Sequence, residues 1–352
     1  MIFYLLLLLV VSGGAYLIFK KDNKKSVIIT GIFALLILTA FCGSIDAQTY
    51  GTDIMNYYNN AYKAYSTTLA GFLEESPFEY GFTVFVWCIT NLTASAQATL
   101  YIEYFLVFVG PIFVICKYSK NIPLSLLFYV TLGTFMFYFT AIRQGIACSL
   151  CILALELFRN KKRILGILLA LLATQVHTSA IVFIPFVLLC GVQLTDRRLV
   201  LSILIMFMMS FFTNYFIGIG NDIMDSSYTG GSSTSLGGLI NIVIYFGIVY
   251  LALNGRNNSH ENKSLMEVSN DNYVLFASIL GASLYVLRFY VLALERIAFY
   301  FLPFMSILFG EALEKQKIFP KPILNLIAIL LIVMLYYTRL GHTFGEYVVF
   351  FM

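Results

Sequence analysis

The stretch that decides the fold is residues 121–142, NIPLSLLFYVTLGTFMFYFTAI, which carries no charged side chain and lies between Lys120 and Arg143. A bilayer core about 30 Å thick needs about 20 helical residues at about 1.5 Å each, so this run predicts a membrane span. Charge-free runs of this kind fill most of the chain, and we expect most of them to be single spans. The others are 1–19, 26–45, 80–102, 104–116, 144–155, 164–195, 199–221, 226–255, 272–287, 297–310 and 322–338.

The composition of the 352 residues agrees with that prediction. Hydrophobic residues make up 60% and charged residues only 11%, with a mean hydropathy of +0.86. Soluble domains carry about 25% charged residues, so this chain lacks the polar groups that would cover its surface in water. The same figures exclude a disordered chain, a nucleic-acid binder and a disulfide scaffold. All six cysteines lie in apolar runs, where cysteine usually packs as a small hydrophobe. The sequence therefore predicts an all-α, polytopic integral membrane helical bundle.

The basic residues predict how this bundle is oriented. Seventeen of the 22 Lys and Arg fall in six short clusters, which the positive-inside rule assigns to the cytoplasm. The clusters are Lys20/Lys21/Lys24/Lys25, Lys117/Lys120, Arg159/Lys161/Lys162/Arg163, Arg197/Arg198, Arg256/Lys263 and Lys315/Lys317/Lys321. Counting passes between clusters gives a single transmembrane domain over 1–352, with about ten full spans, a short or re-entrant hairpin at residues 164–195, and both termini outside.

The loops follow from the same count. We expect a large outer loop at 45–95 with an interfacial helix at 80–94, a Ser/Gly-rich outer loop at 219–237 and a cytoplasmic loop at 254–272. The hairpin must leave and return within 32 residues, so each arm is shorter than a span and its polar tip, 174–179, lies in or near the outer leaflet. Non-helical backbone at that depth requires cover from protein or a water-filled cavity.

Five basic residues fall on or near the outer side, where the rule disfavours them: Lys63, Arg143, Arg288, Arg296 and Arg339. An arginine at membrane depth costs about 2.5–3.5 kcal/mol, so it normally faces a cavity, a partner or a substrate. Each has a plainer alternative. Arg143 and Arg296 could extend to the outer head groups, Arg288 could pair with Glu295, and His177 in the hairpin tip could be a hydrogen-bonded core residue.

The outer segment 49–62 is rich in tyrosine, asparagine and aspartate. Aromatic rings next to amides and carboxylates suit carbohydrate, because sugar rings offer apolar faces and hydroxyls together. An interfacial tyrosine belt explains the composition equally well. Metal-ligand spacing, a glycine-rich phosphate loop, a Ser/His/Asp order and a nucleotide-binding motif are all missing from the sequence.

Five short motifs follow one another along the chain. They are Gly51-Thr52-Asp53 before several tyrosines, Glu79-Tyr80-Gly81-Phe82, Ile142-Arg143-Gln144, His177-Thr178-Ser179-Ala180 with Pro185, and Glu295-Arg296 with Tyr300-Phe301. In this order they resemble the EpsG family of Wzy-like bacterial polysaccharide polymerases, from about residue 1 to about 312. The Arg-Gln and His-Thr-Ser-Ala motifs at this spacing carry most of the resemblance.

The resemblance implies a glycosyltransferase of the bacterial cytoplasmic membrane. Such an enzyme joins oligosaccharide repeat units, carried on undecaprenyl diphosphate, into extracellular or capsular polysaccharide at the outer face. Its expected partners are that lipid-linked oligosaccharide, membrane lipid and other export proteins such as a chain-length regulator, with no nucleic acid. An O-antigen-ligase-like transferase is an alternative of the same architecture. A transporter of lipid-linked sugar or polysaccharide is an alternative of another class, since intramembrane arginines also mark transport sites.

Roles for individual residues follow from the resemblance and the chemistry of transfer. Planar guanidinium groups bind phosphate oxygens in pairs, so we expect Arg143 and Arg296 to hold the leaving diphosphate, with Gln144 in support. The acceptor hydroxyl needs a base, for which Asp53 and His177 are both candidates. Arginine charge at the leaving group predicts catalysis without a metal or other cofactor. The expected sugar contacts are Tyr50, Tyr57, Glu79 and Tyr80.

Overall fold

The computed structural model describes most of the chain. The described residues are 2–21, 23–47, 52–189, 236–257, 265–289 and 295–315, with 320, 322, 323, 326 and 330. Within these ranges the regular structure is helical and contains no β-strand, which confirms the all-α prediction. Several predicted features lie outside the described residues: Tyr50, most of the loop 219–237, part of the loop 254–272, the end of the hairpin at 190–195, and the tail from Arg339.

The chain groups into two compact units, 1–191 with 328–352, and 192–327. The helices of the first unit are α1 (Ile2–Leu8), a π-helical turn (Leu9–Gly13), α2 (Gly14–Ile18), α3 (Lys24–Gly43), α4 (Thr52–Ser66), α5 (Leu69–Glu75), α6 (Tyr80–Thr93), α7 (Ala96–Tyr118), α8 (Ile122–Thr131), α9 (Thr134–Thr140), α10 (Ile142–Arg159), α11 (Arg163–Val176), a 3₁₀ helix (Thr178–Phe183) and α12 (Ile184–Leu189).

The second unit contains α13 (Leu236–Asn257), α14 (Leu265–Tyr285), a 3₁₀ turn (Val286–Phe289), α15 (Glu295–Ala298) and α16 (Leu302–Lys315). Arg288 is buried here, and its Nη1 lies 2.8 Å from Glu295 Oε2. The same nitrogen donates to the Tyr285 hydroxyl at 2.5 Å. Arg288 thus pairs with Glu295, as the plainer interpretation of this arginine expected.

Three helical stretches among the described residues are long and apolar enough to cross a membrane: Lys24–Gly43, Ala96–Tyr118 and Asn272–Phe289. A fourth is a broken pair, α8 and α9, bent by 57°. These helices fit a membrane protein, while the number of ten full spans and the orientation of the termini stay predictions. The run 121–142, expected as one span, is bent because Gly133 has a φ of 93°, a left-handed conformation that interrupts the helix.

The centre of the first unit is built on α7 and α10, which approach very closely. The Gly110 N–H donates to Ser149 Oγ at 2.7 Å, beside Pro111 within α7. A Cβ on Gly110 would lie 2.7 Å from Ser149 Cα, so only glycine permits this contact. Rings from α7 and α9 stack nearby, with centroid separations of 5.7 Å for Phe108–Phe135 and 5.9 Å for Tyr104–Phe139. These contacts hold α7 tightly against α10, the helix that carries Arg143 in its first turn.

The outer segment predicted at 45–95 contains more helix than expected. The predicted helix at 80–94 corresponds to α6, but α4 and α5 were not predicted. The asparagines and tyrosines of α4 suggested a loop, whereas its buried residues Ile54, Tyr57, Ala61 and Ala64 form a stripe along one helical face. Burial of that stripe outweighs the weak helix propensity of asparagine.

The predicted hairpin begins with two short elements. α11 has 14 residues, about 21 Å of helix, and ends at Val176. His177 is extended, with a φ of −154° and a ψ of 118°, and the 3₁₀ helix follows directly. The polar tip predicted at 174–179 therefore coincides with a break in the helix, and this break turns the His177 side chain towards the start of α6.

Candidate functional site

The carboxylate of Glu79 joins three distant segments of the first unit. Arg143 Nη1 donates to Glu79 Oε2 in a short ion pair. On the other oxygen, Glu79 Oε1 lies 2.9 Å from His177 Nδ1 and accepts the Thr178 N–H at 3.2 Å. Glu79 is the residue that precedes α6, Arg143 is in the first turn of α10, and His177 follows α11. One acid, one permanent cation and one imidazole are therefore in direct contact.

A glycine at the start of α6 makes this meeting possible. A Cβ on Gly81 would lie 2.6 Å from the Cβ of Gln175 and 2.8 Å from its carbonyl oxygen. The first turn of α6 thus packs directly on the last turn of α11. Gly81 is two residues after Glu79, and Gln175 is two residues before His177. The Ser76 and Thr83 hydroxyls, 2.9 Å apart, tie the preceding turn to α6. Backbone packing fixes the distance between the acid and the imidazole.

Aromatic rings position the guanidinium of Arg143. Its central carbon lies 4.2 Å from the centroid of the Phe78 ring, within the range of a cation–π contact. Its Nε donates to the Tyr57 hydroxyl at 3.5 Å, and the Tyr57 ring stacks on Phe78 at 5.4 Å. The side chain is 22% exposed, and Nη2 makes no hydrogen bond to any residue in the described ranges. Arg143 is therefore held on two sides, while its side chain remains partly exposed.

The charges around Glu79 keep it ionised. Burial raises the pKa of Glu79, but the hydrogen bond from His177 and the charge of Arg143 outweigh this and lower the pKa to about 2. An anionic Glu79 accepts a hydrogen bond from Nδ1–H, so in the neutral His177 ring the hydrogen is on Nδ1 and the Nε2 lone pair is an acceptor. This is the arrangement in which a carboxylate orients a histidine to act as a general base.

The remaining predicted site residues have different surroundings. Asp53 is exposed in the first turn of α4, four residues before Tyr57. Gln144 is buried, with 3% exposure, and Tyr80 is 66% exposed on α6. Arg296 belongs to the second unit, where it is exposed in α15. The structure therefore brings together Tyr57, Glu79, Arg143 and His177, and the roles of all the predicted residues stay predictions.

Sequence reasoning missed two members of this cluster, and it gave no role to a buried acid on α7. Phe78 under Arg143 and the backbone N–H of Thr178 have no signal in the sequence beyond their closeness to Glu79 and His177. Glu103 had one, since it is the only charge in residues 80–116. It is 1% exposed on α7, and its Oε1 has no hydrogen-bond partner among the described residues. An ionisable group inside a membrane helix is a candidate functional group by default.

Searches for relatives give one result at the level of the family. No curated protein and no solved structure matches the chain. Within the described ranges, no three His, Cys, Asp or Glu side chains are grouped so that they could hold a metal ion. The family model described as the EpsG family matches residues 27–350, nearly the whole chain. This chain, which is helical and carries the Glu79–Arg143–His177 cluster, therefore belongs to the EpsG family.

Proposed function

We propose that this protein is a membrane glycosyltransferase that joins oligosaccharide repeat units, carried on undecaprenyl diphosphate, into extracellular or capsular polysaccharide. Membership of the EpsG family suggests a membrane protein like an exopolysaccharide polymerase. The observation that carries the specific proposal is the contact of Glu79 with both His177 and Arg143. That contact brings an imidazole, which we propose as the base, close to a guanidinium, which we propose as the phosphate-binding cation, and transfer from a sugar diphosphate needs both groups.

In the proposed reaction, the acceptor hydroxyl attacks the anomeric carbon of the donor sugar. The new glycosidic bond forms as the bond to the diphosphate oxygen breaks. The hydroxyl proton passes to Nε2 of His177, and the positive charge that results on the ring is stabilised by Glu79 at Nδ1, 2.9 Å away. Of the two candidate bases, this geometry favours His177, because Asp53 is exposed and makes no ion pair with any described residue.

Arg143 is proposed to bind the departing diphosphate. Its side chain is partly exposed, Nη2 makes no hydrogen bond to a described residue, and Glu79, Tyr57 and Phe78 fix the plane of the guanidinium. Prepositioned positive charge is worth more at a partly buried site than in water, and it removes the need for a metal at the leaving group. We assign Arg296 as a second phosphate contact on the basis of the family motif, and Gln144 as support within α10.

The sugar contacts divide by exposure. Tyr80, which is largely exposed beside Glu79, offers an aromatic face for a sugar ring. Tyr57 is buried, and we propose that it acts through Arg143. Tyr50 remains a proposed sugar contact from the sequence alone. Glu79 is already engaged by His177 and Arg143, so its main proposed role is to orient both.

The proposed enzyme works at the outer face of the bacterial cytoplasmic membrane, with about ten spans and both termini outside. This orientation rests on the clusters of Lys and Arg at the opposite side. Lipid-linked repeat units that have been flipped across the membrane are available on that side. The loop 219–237 is proposed to cover the site or bind the acceptor, and a chain-length regulator is a proposed partner.

The decisive experiment is reconstitution of the purified protein in liposomes with lipid-linked repeat units as the only substrate. A polymerase produces a ladder of lipid-linked polymers, and it continues to do so in excess EDTA. A ligase would instead transfer polymer from its lipid carrier to a separate acceptor. Transporters also contain broken helices, like those at Gly133 and His177. Movement of repeat units across the bilayer without polymer formation would therefore replace the proposed polymerase with a transporter.

A further inference from the structure

A crevice lies between the start of α3 and the end of α7. It is at the opposite end of α7 from Ala96, where that helix begins. Its volume is about 530 Å³, and Asn23, Lys24, Val27, Ile28 and Cys116 line it. The crevice is open at the surface rather than enclosed, so a ligand in it would lie along the protein surface. The crevice shares no residue with the Glu79 cluster, and nothing in the proposed reaction uses it.

The polarity of the crevice changes along its length. Asn23 and Lys24 are exposed at its mouth, and Val27 and Ile28 follow one turn further along α3. Ile28 is 61% exposed. Beyond them α3 and α7 close together, since a Cβ on Gly31 would lie 2.8 Å from Cys116 Sγ. A charged end followed by an apolar wall has the same order as the phosphate and acyl chain of a phospholipid.

The charge at the mouth selects the kind of lipid. Lys24 is one of four lysines between residues 20 and 25, and it makes no ion pair with any residue that the structure describes. Lys117, next to Cys116, is already paired with the buried carboxylate of Glu156. Lys24 is therefore the cation at this crevice that is available to an external anion. Lysines at the cytoplasmic surface of a membrane attract acidic head groups.

We propose that this crevice binds an anionic phospholipid of the inner leaflet, with its phosphate at Lys24 and one acyl chain along Val27 and Ile28. The site is separate from the proposed glycosyltransferase reaction, so either can fail without the other. A phospholipid fits because the crevice is open at the protein surface and combines one cation with an apolar wall.

The first test compares two lipids that share the same acyl chains, phosphatidylglycerol and phosphatidylcholine. The full-length protein in detergent is incubated with an equal mixture, and the retained lipid is measured by native mass spectrometry. Wild-type protein retains phosphatidylglycerol in preference, and Lys24→Gln lowers this preference about fivefold, equivalent to about 1 kcal/mol. The matched control is Lys25→Gln, which removes the same charge from the next residue, outside the crevice. Equal loss in both variants, or no preference in the wild type, overturns the proposal.

The second test reads the crevice directly through Cys116. Wild-type protein in vesicles of each lipid is treated with N-ethylmaleimide, and labelling is followed by peptide mass spectrometry. Cys88, exposed on α6, is the internal control. Phosphatidylglycerol should slow labelling of Cys116 relative to Cys88, and Lys24→Gln should remove the difference. Labelling of Cys116 at the same relative rate in both lipids contradicts occupation of the crevice, whatever the effect on polymer synthesis.

Discussion

Replacement of Glu79 by glutamine tests the proposed site most directly, because it removes one charge and keeps the shape of the side chain. Glutamine can still accept a hydrogen bond from His177 Nδ1, but it cannot stabilise a positive ring or neutralise Arg143. The pKa of Glu79 is lowered from 4.5 to about 2 by these partners. A difference of this size corresponds to about 3 kcal/mol of preference for the charged form.

Because glutamine cannot stabilise the positive ring that forms when His177 takes up the proton, the rate of polymer synthesis should fall about a hundredfold in Glu79→Gln. The assay is the initial rate of ladder formation by reconstituted protein with saturating lipid-linked repeat units, so that the loss appears in kcat. The matched control is Glu74→Gln, an exposed glutamate in the neighbouring helix α5, which should keep the wild-type rate. Protein level and thermal stability are measured alongside to separate loss of catalysis from misfolding. A folded Glu79→Gln enzyme with the wild-type kcat would refute the role given to the Glu79–His177 contact.

Three further predictions concern the same cluster. Arg143→Lys keeps the charge but loses the planar contacts to Phe78 and Tyr57, so the KM for the lipid-linked donor should rise at least about tenfold; an unchanged KM would contradict diphosphate binding there. Gly81→Ala should lower the free energy of unfolding by about 1–3 kcal/mol, measured by thermal unfolding, whereas Gly71→Ala, with only Thr68 Oγ1 at 3.5 Å, is its control. Because the pKa of Glu79 is lowered in the folded protein, its stabilising contribution is complete above about pH 4.5 and is lost as the pH falls towards 2. The difference in unfolding free energy between wild type and Glu79→Gln should therefore disappear over that pH range. A difference that stays constant would count against the pairing.

The sequence predicted the helical class well because apolar runs and basic clusters are properties of single segments. It could not locate the bend at Gly133, since a left-handed φ in an apolar run leaves no trace in charge or hydropathy. It also missed α4, where asparagines obscured the buried stripe through Tyr57. That stripe was present in the sequence at helical spacing, so a search for it would have found the helix.

For the candidate site, charge counting singled out Arg143 and the hairpin tip singled out His177. Their common partner came only with the structure, because Glu79 lies 64 residues from one and 98 residues from the other. Contacts over such distances depend on how helices pack, here through Gly81 against Gln175. The contact between Phe78 and Arg143 could not be predicted for the same reason. The sequence thus indicated the reactive groups, and the fold supplied their arrangement.

The order of Glu79, Arg143 and His177 along the chain has a consequence for biosynthesis. In the proposed topology, Glu79 is exported first, Arg143 follows 64 residues later, and His177 is exported last. A guanidinium that crosses the bilayer against the positive-inside rule faces a cost of about 2.5–3.5 kcal/mol. The carboxylate of Glu79, exported earlier, is then available on the outer side to form an ion pair with Arg143. The contact that orients the site would then also help the translocation machinery to insert α9 and α10 the right way round.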